Sequence, residues 1–295
     1  MKHFSIVKKA KVFFSISLIF LLVGVVSMLT RGFNLGIDFT GGSIIDVKFE
    51  NPVTVSEVRD VLSDHKLGSS IIQLGSMDGQ QTEESQSVLI RTGIICDDQR
   101  VETMTDMTNR LGPNEVLRVE NVGATVGRDL VKSAMGAVAL SWVLMIIYIT
   151  IRFEHNFAFA AIIALIIDVM VTLSWFSLLQ LEMDSSFVAA LLTVVGYSIN
   201  GTIVIFDRIR ENLHTHRRSE SLGDMVDNSI WQTMNRSIYT SATTLFAVIA
   251  IFLFGGETIR NFSFAMLVGF SSGFYTSTFL AGPLWIKLRS RGTHK

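Results

Sequence analysis

Six long apolar runs punctuate the chain, at residues 12–29, 130–151, 157–179, 186–206, 236–254 and 262–286. Each comes close to the roughly 20 residues an α-helix needs to cross the hydrocarbon of a bilayer. They predict a polytopic α-helical membrane protein with six transmembrane helices. One gap between the runs, 33–129, is wide enough for a folded domain. Within it 43–49 is a β-rich run ended by Asn51-Pro52. Thr54-x-x-Glu57 is a capping box, and Val55, Val58, Val61 and Leu62 lie on one face of the helix it opens. Residues 69–74 and 86–92 read as strands around a polar loop with an Asp78-Gly79 turn. Asp97 or Asp98 can cap a second helix, with Val101, Met104, Met107 and Leu111 as its buried face, and 115–122 supplies a last strand. Strand, helix, strand, strand, helix, strand predicts a small α+β, ferredoxin-like domain. Many functions share that fold, so it names none.

Composition agrees with the runs. Charged residues make up 17% of the 295, against roughly 25% in soluble domains, and mean hydropathy is +0.44. A soluble enzyme is excluded. A net charge of -1 provides no basic field for nucleic acid. The single cysteine, Cys96, excludes an internal disulfide and a cysteine zinc cluster, and no basic group beside it suggests reactivity, so it reads as a buried or idle thiol. His214-x-His216 stands beside Arg217 and Arg218 and reads as solvated loop rather than metal ligands. Glu83-Glu84 and Asp97-Asp98 read as solvated charges, and no histidine falls inside a predicted span. No catalytic group, cofactor or metal is predicted.

Direction follows from basic residues in the short flanks. Lys2, Lys8, Lys9 and Lys11 precede the first run; Arg208, Arg210, Arg217 and Arg218 separate the fourth and fifth; Lys287, Arg289, Arg291 and Lys295 follow the sixth. An even number of spans puts all three groups in the cytoplasm. The expected organisation is a cytoplasmic N-terminus with helix one over 1–32, an external domain over 33–129, five helices over 130–288 and a cytoplasmic tail over 289–295. The external segment carries 8 basic and 16 acidic residues. A signal-peptide reading of the first run fails on length, since such cores span about 7–15 residues. Arg31-Gly32-Phe33-Asn34 follows it in place of a cleavage site.

Polar groups inside the spans carry the candidate chemistry. An ionisable side chain at the bilayer centre costs about 2.5–3.5 kcal/mol on insertion scales. Asp168 is roughly 16 Å into the third span at 1.5 Å per residue. Arg236 lies roughly 27 Å before the outer end of the fifth. Asn200 and Thr202 stand at comparable depth on span four, Asp207 at its inner end, and Thr240, Ser241, Thr243 and Thr244 extend the polar line. Helix packing accounts for the hydroxyls and for Gly269-x-x-x-Gly273. For Asp168 and Arg236 a proton or ion relay competes with it.

Three motifs carry a resemblance. Gly36-Ile37-Asp38-Phe39-Thr40-Gly41-Gly42 resembles the opening motif of the SecD/SecF family of protein-export subunits, within the resistance-nodulation-division superfamily. Val195-Gly196-Tyr197-Ser198-Ile199-Asn200, continued by Ile203-Val204-Ile205-Phe206-Asp207-Arg208-Ile209-Arg210-Glu211-Asn212, is similar to its span-four signature. Asn235-Arg236-Ser237, Thr240-Ser241 and Phe254-Gly255-Gly256 resemble its span five. The size of the domain favours the SecF branch of the family over the SecD branch. The resemblance implies a non-enzymatic translocase subunit of the bacterial inner membrane. It would assist export of unfolded secretory proteins with SecD and the SecYEG channel, with YajC as a further candidate partner and protons as the driving ion. It implies an external joint at Gly36, Asp38, Gly41 and Gly42, and a proton relay drawing on Arg236, Asp168, Asn200, Thr202 and Asp207. The family signature reads Asn-Asp, whereas Gly201 follows Asn200 here. A SecD aspartate, Asp168 or Asp207 could stand in, or this copy is weakly coupled, or the glycine was introduced. Half of a small-molecule or lipid exporter, and a scaffold without its own proton route, are the competing readings.

Overall fold

The computed structural model describes residues 4–75, 84–215 and 221–292. The Asp78-Gly79 turn, Glu83, Lys2, His216, Arg217, Arg218 and Lys295 lie outside them. The chain divides into two compact units, Met1–Asn34 with Met135–Lys295, and Leu35–Ala134.

The first unit is helical. Its elements are α1 (Ala10–Thr30), α5 (Ala124–Arg152), α6 (His155–Leu179), α7 (Ser185–His214), α8 (Leu222–Phe254), α9 (Arg260–Tyr275) and α10 (Gly282–Gly292), α5 beginning in the other unit. Among the described residues six candidate spans are long and apolar enough to cross a membrane, the sixth running Arg260–Ser290. Large apolar side chains such as Leu18, Leu22, Leu144, Tyr148, Phe246 and Leu253 point away from the bundle. A water-facing surface would not carry them in such numbers, and lipid would accept them.

Two boundaries depart from the sequence pattern. Helix α8 starts at Leu222 instead of 236 because Ser221 caps it, accepting from the Asp224 amide at 3.1 Å. Its first turns bury Met225, Val226 and Ile230 between polar residues that mask them from a hydropathy average. Span six is also discontinuous, with a π-helical turn, Thr276–Ala281, between α9 and α10. Pro283 lacks the amide that would bond the Phe279 carbonyl, so the ladder widens before it. His155 opens α6 and His214 closes α7, so both histidines stand at helix ends.

Small residues bring the helices together. Ser27 and Ser177 share a hydrogen bond of 2.9 Å between α1 and α6, where Gly24 also faces Ser174. Gly269 and Gly273 of α9 lie against Val194 and Ser198 of α7. At one end of the bundle Phe157 stacks on Trp285 with ring centroids 4.7 Å apart. The chain before α1 is tied there too: Asp227 accepts from the Ser5 hydroxyl and from the Val7 amide at 2.9 Å.

The second unit holds α2 (Ile37–Thr40), β1 (Gly42–Thr54), α3 (Val55–Asp64), β2 (Ile71–Gly75), β3 (Glu84–Thr92), α4 (Asp97–Leu111) and β4 (Asn114–Val122). The sheet is antiparallel in the order β2-β3-β1-β4. Ile45, Val47, Phe49, Val88 and Ile90 form its buried face, with Val58, Val61, Leu62 and Met107 packed over them. The Thr54–Glu57 capping box is present in both directions. Three details differ from the sequence expectation. β1 continues through Asn51-Pro52 to Thr54, its register shifting between Lys48 and Val53, which lets proline sit where no ladder bond is needed. Cys96, not Asp97 or Asp98, holds the N-cap position of α4, and its thiol is exposed. Val101 is exposed as well, the buried side of α4 being set by Thr103 and Met107.

Candidate functional site

The helical unit places its polar residues in two neighbouring layers. The first surrounds Asp168 on α6, whose exposure is 0%. Ser198 of α7 donates to its Oδ2, and Ser272 of α9 donates to Oδ1 at 2.6 Å. Thr276, the first residue of the π-helical turn, reaches both oxygens at 2.9 Å. One carboxylate thus gathers hydroxyls from three segments of chain. Among the described residues no ion pair includes it, so hydroxyl dipoles stand where a counter-cation would.

The second layer is a cleft of about 70 Å³ lined by Asn200, Gly201, Arg236, Thr240, Ser241 and Ser277, with Tyr197 and Gly273 beside them. Tyr197 closes one side by donating to Ser241 at 3.0 Å. Gly201 packs closely here: a β-carbon on it would stand 3.2 Å from the Ser277 hydroxyl, near enough that the serine side chain would have to shift slightly. The layers share the π-helical turn, since Thr276 bonds Asp168 while Ser277 faces Gly201.

The sequence candidates are therefore only partly united. Asn200, Gly201 and Arg236 meet in the cleft. Asp168 does not line it and has hydroxyl partners instead. Thr202 is buried and returns its hydroxyl to the Ser198 carbonyl at 3.3 Å. Asp207 belongs to a third place, pairing with Arg152 at 3.4 Å and Arg210 at 3.3 Å. Thr243 and Thr244 bond the helix backbone behind them. Ser198, Ser272, Thr276 and Ser277 were missed as site residues. The four-residue spacing of Ser272 and Thr276 on an apolar span was the signal available.

In the second unit, Gly41 and Gly42 have φ of +74° and +137°, whereas Gly36 has φ of -70°, open to any residue. Of the three glycines assigned to the joint, Gly41 and Gly42 therefore use backbone angles that favour glycine and Gly36 does not. Asp38 lies in the first turn of α2.

Residues 102–291 match the model of the protein export membrane protein SecD/SecF C-terminal region, and residues 26–53 match the SecD/SecF GG motif. The chain belongs to the SecD/SecF family. It is 78% identical over 291 residues to the protein translocase subunit SecF of Acidaminococcus fermentans, covering 99% of each. With the SecF of Sebaldella termitidis identity is 42%, over 96% of this chain and 91% of the other. The crystal structure of SecDF from Thermus thermophilus, a translocon-associated membrane protein, superposes with a TM-score of 0.88 at 31% identity. That match covers 98% of this chain but 39% of the SecDF chain. The GG-motif match takes in Gly41 and Gly42, and the larger match takes in both polar layers.

Proposed function

We propose that this chain is a SecF-type subunit that works with SecD beside the SecYEG channel to move unfolded secretory proteins across the bacterial cytoplasmic membrane, using the proton gradient. The observation that carries this reading is the 78% identity extending over 99% of both chains. SecD is the partner best supported, because the solved relative is a SecDF chain of which this one spans 39%. YajC is a further candidate. The relatives bear the name of a translocase subunit, and the role proposed is mechanical rather than enzymatic.

In this reading 1–32, 130–288 and 289–295 form the membrane part and its cytoplasmic ends, and 33–129 is the external domain. The strand order β2-β3-β1-β4 supports a ferredoxin-like fold for that domain. Arg236, Asp168, Asn200 and Thr202 are the relay positions proposed, Asp207 is a more distant one, and 36–42 is the joint. Cytoplasmic termini follow from the lysines and arginines that resist translocation.

Depletion of the protein in its host tests the function. Unprocessed secretory precursors should accumulate, and normal precursor processing with raised retention of small apolar compounds would support an exporter half instead. Single cysteines at Glu102 and Thr215, in a Cys96→Ser background, should label from opposite sides with an impermeant thiol reagent. Labelling of both from one side would overturn the topology.

A further inference from the structure

Asp168 has a place in this molecule that its neighbours' packing does not explain. Serines and threonines can join helices without a carboxylate, and an ionisable group in mid-span costs about 2.5–3.5 kcal/mol to insert. Here the group is wholly enclosed, and its two oxygens accept four hydrogen bonds from Ser198, Ser272 and Thr276. We propose that Asp168 is the proton-binding site of this chain, and that Thr276 at the head of the π-helical turn is the group that responds when the proton arrives.

Geometry limits what the cage can do. An ionised carboxylate only accepts, so all three hydroxyls can donate at once, the single Thr276 hydrogen being shared between the two oxygens. When a hydronium ion gives up its proton, a neutral water remains, one O–H bond forms on Asp168 and the carboxylate charge disappears. The protonated oxygen is now a donor, and a hydroxyl that pointed its hydrogen there must turn or leave. Thr276 is the bond most readily surrendered because it is shared between both oxygens. It also has another acceptor at hand, the Gly273 carbonyl at 3.3 Å.

The turn that Thr276 opens is suited to move. Its backbone pattern is π-helical, a local widening often found at functional sites. Thr278 within it has a buried hydroxyl with no hydrogen-bond partner among the described residues. Ser277 forms part of the cleft wall opposite Gly201 and near Arg236. A change at Thr276 is therefore one residue from the cleft.

The cleft is also the better-equipped approach for a proton. Ser272 opens on the other side to a groove of about 520 Å³ whose wall is mainly Phe20, Ile167, Val171, Trp175 and Leu267. Such a wall offers few groups to relay a proton, while the cleft has Asn200, Ser237, Thr240, Ser241 and Ser277. The other titratable groups on the packed elements are engaged elsewhere. Tyr275 donates to the Phe13 carbonyl, Tyr197 to Ser241, Arg260 lies over Phe252 and Arg289 over Trp285. Arg208 pairs with Glu211, and Asp207 with Arg152 and Arg210. Lys11 and Lys287 are exposed near helix ends, as is His214, and His155 begins α6.

Use of this proton in export rests on the function proposed above; its binding does not. The test is infrared difference spectroscopy of the full chain in lipid, between mildly alkaline and mildly acidic buffer. A carbonyl band from a buried carboxylic acid should grow in acid, vanish in Asp168→Asn and persist in Asp207→Asn. In Thr276→Val it should persist at a shifted frequency, because the acid loses a neighbouring hydroxyl. The Thr276→Val arm guards against an Asp168→Asn chain that fails to insert. No such band in the parent, or one unchanged in a properly inserted Asp168→Asn, overturns the proposal. Either result leaves the precursor-accumulation test of export untouched.

Discussion

Gly269 and Val194 approach so closely that a β-carbon on the glycine would stand 2.2 Å from a valine methyl. Valine is stiff about its first torsion and this one is wholly buried, so it has little freedom to give way. Gly269→Ala should therefore destabilise the bundle by about 1–3 kcal/mol, the usual range for overpacking. Adding Val194→Ala should restore part of the loss. Gly136→Ala is the contrast, since its β-carbon would meet nothing within 4 Å. Thermal unfolding in detergent reads all three, and equal transition temperatures for the parent and Gly269→Ala would refute close packing as the role of Gly269.

The GG motif makes an ordered prediction. A β-carbon at Gly42 would stand 2.5 Å from the Thr92 carbonyl, a backbone atom in the neighbouring strand that cannot move aside cheaply. Gly41, with φ of +74° and ψ of 160°, occupies a region nearly reserved for glycine, at a cost of about 1–3 kcal/mol for other residues. Gly42→Ala and Gly41→Ala should both speed amide exchange in β1, while Gly36→Ala should leave it near the parent rate. Rapid exchange in Gly36→Ala alone would reverse this reading.

Much of the architecture was legible because membrane spans and amphipathic strands repeat a simple pattern. Spans one to four began within a few residues of their apolar runs, except for the early start of α5. The Thr54–Glu57 box worked because a cap depends on four adjacent residues. The fifth span was misjudged at its start, where Asp224, Asp227 and Asn228 lower the average around buried Met225, Val226 and Ile230. The site was harder still. Asp168 stood out by its charge, but its partners lie 30 to 108 residues away on other helices. Serine and threonine are common in spans, so nothing local distinguishes the hydroxyls that reach it.

Two carboxylates of the second unit should oppose each other in pH dependence. Burial pushes the Asp46 carboxyl above its ordinary value, with Arg118 and a Ser87 hydrogen bond offsetting part of the rise. The fold therefore prefers its protonated form. That contribution is present in acid and lost as pH rises through the folded value. The backbone and hydroxyl of Thr54 hold the Glu57 carboxyl below its ordinary value. Its contribution is present above the unfolded value and lost as pH falls through the folded one. At neutral pH Asp46→Asn should slow local exchange in β1, with the benefit fading in acid. Glu57→Gln should speed exchange in the first turn of α3 at neutral pH and converge with the parent in acid. Opposite trends in either variant would contradict the assigned cause.

Gly201 provides the sharpest functional contrast. By the resemblance read from the sequence it stands where the family signature has an acid, and it lines the same cleft as Arg236. The β-carbon of an aspartate there would stand 3.2 Å from the Ser277 hydroxyl, so that side chain must turn slightly. It can then donate to the new carboxylate, which shares the cleft with the guanidinium. Both would offset the cost of a charge within the span. Gly201→Asp should therefore make precursor release from sealed vesicles more dependent on a proton gradient than it is in the parent. Arg236→Met, combined with Gly201→Asp, should abolish that gain by leaving the new carboxylate without its cation. The comparison needs parent, single and double variants, with and without the gradient, at matched membrane levels. A Gly201→Asp protein whose release responds to the gradient no more than the parent's would show that the cleft is not limiting. Gradient dependence then has to be sought at Asp168 or in SecD.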